Sequence, residues 1–242
     1  MYIKQKVFME REQLEKEGPI TIVAFGDSVT HGAVGPDEIC YETAYWNLLR
    51  KKILEIRDYV PVNVINAGIG GSTAKESVKR MEKQVLAHMP DLIIVCFGLN
   101  DVNGTLEDYL GALRTIFLKC KSTDAEIIFM TPNMLNTYVT ENMAPERMKY
   151  AAITAEYQNN GKMDLFMDSA IKLANEMQIQ VCDCYHKWKE LSKTQDITKL
   201  LANRTNHPIK EMHELFAESL FEIIMKDASF EEGKNNDTMF KL

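Results

Sequence analysis

The chain has 242 residues, 45% of them hydrophobic and 26% charged, with a formal net charge of −7. That length suits one large α/β domain, and the composition is that of a soluble globular protein. The acidic balance weighs against nucleic acid, because the short "RKK" at 50–52 is no basic patch for phosphates and reads as a solvated helix face.

The N-terminus, "MYIKQKVFMEREQLEKEG", is charged throughout and lacks the apolar core and cleavage site of a secretory signal. No apolar run approaches the roughly 20 residues that span a membrane. The five cysteines, Cys40, Cys96, Cys120, Cys182 and Cys184, are odd in number, and Cys96 and Cys182 lie inside apolar runs. Reduced thiols in a cytoplasmic protein are the expectation.

Five short Val/Ile-rich runs read as buried strands: "ITIVAF" (20–25), "VNVIN" (62–66), "LIIVCF" (92–97), "EIIFM" (126–130) and "IQVCD" (179–183). Helix-length amphipathic segments lie between them. Segment 72–88 starts on Ser/Thr and carries Val78, Met81, Val85 and Met89 along one side. Segment 105–121 has Thr105 as N-cap and Leu106, Tyr109, Leu110, Leu113, Phe117 and Cys120 at helical spacing. Residues 132–162 read as an irregular insertion forming a pocket wall, with Tyr138, Met143 and Tyr157 as contacts. A last helix is expected from Pro208, with Met212, Leu215, Phe216, Leu220 and Ile224 inward. Strands alternating with helices imply a parallel sheet covered on both faces, a three-layer α/β/α domain of flavodoxin-like type. The expected division is an N-terminal extension (1–19), the α/β domain (20–226) and a polar tail (227–242).

Ligands of such sheets bind at the carboxyl ends of the strands. Four stretches fall there: "GDS" with Ser28, "NAGIGGSTA" with Gly71, "FGLND" with Asn100, and "NHP" with His207 before the final helix. Their chemistry is complementary. Ser28 is a weak nucleophile that needs a base, and His207 has a suitable ordinary pKa. An attacked carbonyl develops negative charge, which the N–H groups of Ser28 and Gly71 and the Asn100 amide can receive.

These stretches resemble the GDSL-type esterases and lipases of the SGNH hydrolase superfamily. "FGDSVTHG" is similar to the first block, with Val29 where Leu is commonest. "VINAGIGGSTA" is similar to the second, and its Asn-x-x-x-x-Gly pattern puts the oxyanion glycine at Gly71. "FGLND" resembles the third, with Asn100 as the oxyanion side chain, and "NHP" the last, with His207 as base. The resemblance covers residues 20–226. It implies a carboxylic ester hydrolase working through an acyl-enzyme on Ser28, without metal or organic cofactor. The implied substrate is a small-molecule ester, a short-acyl or O-acetyl ester such as that of a carbohydrate. A lysophospholipase or thioesterase activity is the alternative within the family. The resemblance is compatible with a homo-oligomer.

One position departs from the pattern. The family's Asp-x-x-His places a carboxylate behind the histidine, but "RTNHP" has Arg204 there, and an arginine cannot accept a hydrogen bond. Asn203, Asn206, a backbone carbonyl or a distant carboxylate such as Asp183 are the replacements to weigh. A non-catalytic ligand-binding protein is the rival this departure favours, and a phosphate loop at "GIGGST" is another, although it lacks the Walker lysine. Outside the four stretches, His31 is a pocket-lining residue, His213 a packing or surface residue, and Cys182, Cys184 and His186 sit at alternate positions of a continued strand. Buried thiols explain that last set better than zinc, which wants a clearer ligand spacing.

Overall fold

The five Val/Ile-rich runs become strands, and the inner ones, apolar on both faces, must be covered on both sides. In the computed structural model, which describes residues 2–226 except Pro36, Asp58 and Asn142, they are β1 (Ile20–Gly26), β2 (Val62–Gly68), β3 (Leu92–Cys96), β4 (Glu126–Met130) and β5 (Gln180–Cys182). All pair in parallel, in the order β2-β1-β3-β4-β5. β3 is the middle strand, flanked by β1 and β4, and every residue of β3 is buried.

Helices cover both faces. α1 (Tyr2–Val7), α2 (Arg11–Glu17) and the one-turn α3 (Ser28–His31) flank β1 in sequence, followed by α4 (Tyr45–Leu54). Then come α5 (Ala74–Ser77), α6 (Met81–Gln84), α7 (Leu106–Lys121), α8 (Pro145–Asn159), α9 (Lys162–Glu176), α10 (Cys184–Leu191) and α11 (His213–Met225). α1, α4, α10 and α11 pack into one layer, and α5, α7, α8 and α9 into the other. Thr105 caps α7 by accepting the Asp108 N–H at 3.2 Å.

Three expected elements differ. Segment 72–88 is broken into α5, α6 and 3₁₀ turns, and Met89, in the left-handed region at φ 46°, is 86% exposed instead of inward. Residues 132–162 are not irregular throughout, because 145–159 form α8. Its buried residues are Ala151, Thr154, Ala155 and Gln158, small or polar, so no apolar stripe marks it. The last α-helix starts at His213, after a 3₁₀ turn at Lys210–Met212, while Pro208 is held in a bridge to Leu201. The polar tail at 227–242 lies outside the described residues.

The strand order reverses between β1 and β3. In an open α/β sheet the crevice forms at that point, at the carboxyl ends of the strands. Ser28 follows β1 and Asn100 follows β3, so the topology brings the first and third stretches to one crevice.

Candidate active site

Ser28 opens α3 immediately beyond β1. Asp27 is the N-cap, its Oδ1 accepting the Val29 N–H at 3.0 Å. Asp27 is fully buried and Oδ2 has no partner among the described residues. Burial pushes its carboxyl up to about 7. The end of β2 runs directly beneath α3. A Cβ at Gly68 would stand 2.3 Å from the His31 nitrogen, so only glycine fits there.

His207 reaches Ser28 from a turn organised by Asn203. The Asn203 Oδ1 accepts three backbone N–H groups, from Thr205 at 3.0 Å, Asn206 at 2.9 Å and His207 at 2.9 Å. Its Nδ2 donates to Asn206 Oδ1 at 2.8 Å. Both asparagine side chains are therefore committed to the turn. Arg204, at φ 58°, donates to the carbonyls of Lys199 at 2.6 Å and Thr198 at 3.3 Å. Asp183 caps α10 and accepts from His186 Nδ1 at 2.7 Å.

None of these groups stands behind His207. Its Nδ1 lies 2.8 Å from the carbonyl oxygen of Gly35, and its Nε2 lies 3.0 Å from Ser28 Oγ. A carbonyl can only accept, so Nδ1 carries the hydrogen and the neutral ring presents Nε2 as acceptor to the serine hydroxyl. Burial lowers the His207 pKa, the Gly35 carbonyl opposes that, and the Arg147 charge adds to the lowering.

Gly71 and Asn100 share the cavity with Ser28 and His207. Gly71 sits at φ 75° in the "GIGGST" turn. Asn100 donates through Nδ2 to the Ser72 carbonyl at 3.1 Å, which ties the third stretch to the second. Asp101 makes a second tie, its Oδ1 accepting the Ala74 N–H at 2.8 Å. Burial pushes the Asp101 carboxyl up to about 6.

The cavity measures about 690 Å³. Ile39 and Asp37 wall it from the loop after α3, and Glu146, Arg147 and Tyr150 from α8. Asp37 and Arg147 form an ion pair at 2.9 Å that joins these two walls. Segment 132–162 thus supplies a wall, but through different residues from those expected. Tyr138, Met143 and Tyr157 are not among the lining side chains. Tyr138 is bonded to Asp196 at 2.7 Å, and the Lys162 ammonium sits 4.1 Å from the Tyr157 ring centre.

Of the other singled-out residues, His31 lines the cavity. His213 is fully buried, accepts the Tyr45 N–H at 3.3 Å and has its pKa pushed down to about 4 by burial. Cys182 and Cys184 are buried with sulfurs 3.7 Å apart. β5 ends at Cys182, so the expected alternation along a strand through His186 fails, and His186 bonds Asp183 instead.

A backbone carbonyl is one of the groups weighed for His207, but nothing in the sequence singles out Gly35 or Arg147. A carbonyl that positions an imidazole leaves no side-chain signature, and Arg147 is one charge among several in its segment. Asn203 was readable, because an asparagine side chain that caps the following N–H groups is a standard turn device.

The sequence profile described as the GDSL-like lipase/acylhydrolase family matches residues 24–215. The chain belongs to that family. That family is described as one of lipases and acylhydrolases. An acetylxylan esterase of Geobacillus stearothermophilus is 27% identical over 120 residues, 45% of this chain and 54% of the relative. The uncharacterized lipoprotein YqeF of Bacillus subtilis is 32% identical over 87 residues, 36% of this chain and 34% of the relative. These matches thus span about half and a third of the two curated relatives. The structure of Axe2, an acetylxylan esterase of Geobacillus stearothermophilus, superposes with a TM-score of 0.66 at 22% identity, covering 86% of this chain and 95% of Axe2. The lipase/acylhydrolase of Enterococcus faecalis gives 0.65 at 25% identity, covering 85% of this chain and 95% of that one. Catalytic mutants of Axe2 have been solved at a serine, at a histidine and at an aspartate three residues before that histidine. Arg204 stands three residues before His207 here.

Proposed function

We propose that this chain is a serine esterase that removes a short acyl group, such as O-acetyl, from a neutral carbohydrate. The observation that carries the reading is the relay Gly35 O···His207 Nδ1 at 2.8 Å and His207 Nε2···Ser28 Oγ at 3.0 Å, open to the cavity.

Ser28 Oγ attacks the ester carbonyl while its proton passes to His207 Nε2. The carbonyl oxygen gains the negative charge. The Ser28 and Gly71 N–H groups and the second Asn100 amide hydrogen receive it; the first amide hydrogen is held by Ser72. Collapse breaks the bond to the alcohol, which leaves with the proton from His207. Water, deprotonated by the same nitrogen, then attacks the acyl-enzyme, and Ser28 recovers its proton as the acid departs. Gly35 positions the ring and its tautomer. A neutral carbonyl stabilises the imidazolium less than a carboxylate would, so a modest kcat is expected.

Three acidic residues and one basic residue line the mouth, Asp37, Glu38 and Glu146 against Arg147. That balance repels anionic leaving groups such as lysophospholipid headgroups and supports a neutral ester. The acetylxylan esterase relatives support the same substrate class. Ile39, 42% exposed on the cavity wall, is the feature that favours a longer acyl chain. The five cysteines, none in a disulfide and four of them buried, support a reducing, cytoplasmic setting. No described helix is long and apolar enough to cross a membrane. We assign catalysis to a domain spanning 20–226.

A fluorophosphonate should label Ser28, and Ser28→Ala should abolish hydrolysis of p-nitrophenyl acetate. Labelling at another residue, or full activity in the variant, overturns the reading. A series of acyl chain lengths decides between acetyl and longer acyl groups.

A further inference from the structure

Beside the catalytic cavity lies a second, smaller hollow of about 240 Å³, lined by His31, Tyr41, Trp46, Asn66 and Gly68. His31 lines both, so the two spaces are neighbours across one imidazole. The hollow has flat, fixed walls. The Tyr41 ring centre is 6.1 Å from that of His31 and 6.2 Å from that of Trp46, each pair tilted by about 40° as the angles of 39° and 41° show. Trp46 is anchored by its Nε1, which donates to the Thr30 carbonyl at 2.9 Å. Tyr41 OH lies 3.4 Å from His31 Nε2. Asn66 donates to the His31 carbonyl at 3.1 Å and accepts the Gly68 N–H at 2.9 Å, leaving one amide hydrogen for the hollow.

Tyr41 is 53% exposed although it carries a large apolar ring. It stands beside the hollow, four positions ahead of the start of α4 at Tyr45.

We propose that this hollow is a sugar subsite, in which one ring of a neutral oligosaccharide stacks on Tyr41 and Trp46 while its acetylated neighbour occupies the catalytic cavity. The proposal rests on the esterase reading and specifies its substrate. Aromatic faces carry partial negative charge and attract the slightly positive C–H face of a sugar ring. Aromatic rings interleaved with polar groups suit a hydroxylated neutral ligand better than a hydrocarbon one. The Tyr41 hydroxyl, the His31 ring and the Asn66 amide supply polar groups in the same hollow. An acyl chain laid there would strip water from these groups and return no hydrogen bond. A phosphorylated ligand would meet the acidic residues of the neighbouring mouth.

Two measurements test it. Xylobiose, a neutral disaccharide without an ester, should alter tryptophan emission, because Trp46 is partly buried and lines the hollow while the other tryptophan, Trp188, is fully buried. Tyr41→Ala should abolish that response. In kinetics, the ratio of kcat/KM for acetylated xylobiose to that for p-nitrophenyl acetate should fall about tenfold in Tyr41→Ala, mainly through KM, as loss of one aromatic stack predicts. Tyr41→Phe keeps the ring and should keep most of the ratio, which also separates lost stacking from misfolding. An active enzyme whose ratio stays within about twofold in Tyr41→Ala overturns the subsite and leaves the esterase reading standing. A wild-type protein that binds xylobiose but hydrolyses neither ester overturns the esterase reading and leaves the sugar site standing.

Discussion

His207 and Asp27 are two residues of the site whose surroundings shift their titration. Burial lowers the His207 pKa and the nearby Arg147 charge lowers it further. A depressed imidazole stays neutral at pH 7, the form that accepts the Ser28 proton. The acid limb of kcat/KM on p-nitrophenyl acetate should therefore fall below the ordinary histidine value of about 6.5. A pH–rate profile with its limb at or above that value counts against this reading. Asp27 acts on stability in the opposite sense from a salt-bridged carboxylate. Its folded pKa is raised to about 7, whereas an unfolded aspartate titrates near 3.9. Between those values the folded chain binds more protons than the unfolded one, so stability falls as pH rises from about 4 to about 7 and is level above. Asp27→Asn keeps an oxygen for the Val29 N–H and never ionises. Relative to wild type, the variant should gain stability between pH 4 and pH 8, by up to about 4 kcal/mol if the whole shift is relieved. Any fixed cost of the new amide cancels in that comparison. Melting curves in which the two proteins keep a constant difference across this range would refute it.

At the scale of elements, the site depends on how closely α3 lies on the ends of β1 and β2. Gly68→Ala would place a methyl carbon 2.3 Å from the His31 nitrogen and 2.6 Å from the Thr30 carbonyl carbon, both backbone atoms with little room to yield. α3 must then lift, and Ser28 and His31 lift with it. A cost of at least about 1–3 kcal/mol is expected, in the range of overpacked cores, together with loss of most esterase activity. Chemical denaturation and p-nitrophenyl acetate turnover check both; unchanged values would mean that the α3–β2 contact is loose. Elements also show what the sequence discloses. The strands were legible because a parallel sheet buried on both faces leaves unbroken Val/Ile runs. α7 was legible because its buried residues are large and periodic and Thr105 caps it. α8 was not, because Ala151, Thr154, Ala155 and Gln158 bury a face that hydropathy does not register. The four motif stretches were legible since side chains define them. A backbone carbonyl was among the groups to weigh behind His207, but which one was not legible, since Gly35 contributes only a carbonyl that any residue possesses.

For the whole molecule, the reach of the fold extends ahead of β1. Ile3 and Val7 of α1 and Leu14 of α2 are buried, the first two within the main core. Lys6 is buried as well. Its ammonium meets Asp91 Oδ1 at 2.9 Å and also donates to the carbonyls of Pro19 at 3.2 Å and Glu17 at 3.3 Å. Asp91 lies just before β3, the middle strand, and accepts the Thr21 N–H of β1 at 2.7 Å. One carboxylate thus joins the N-terminal helices to β1 and β3, and we propose that residues 2–17 unfold together with the sheet. Lys6→Met would keep the apolar stem and leave Asp91 without its cation. Removing one partner of a buried pair costs about 3–5 kcal/mol, and the lower end applies because Asp91 keeps the Thr21 hydrogen bond. A single urea transition at a lower midpoint with an unchanged slope is the expected result. The double variant Lys6→Met/Asp91→Asn should recover part of the loss, since no unpaired charge remains buried. If Lys6→Met instead yields an early, separate transition and leaves the main one in place, the N-terminal helices form a unit of their own and the proposed coupling to the sheet is wrong.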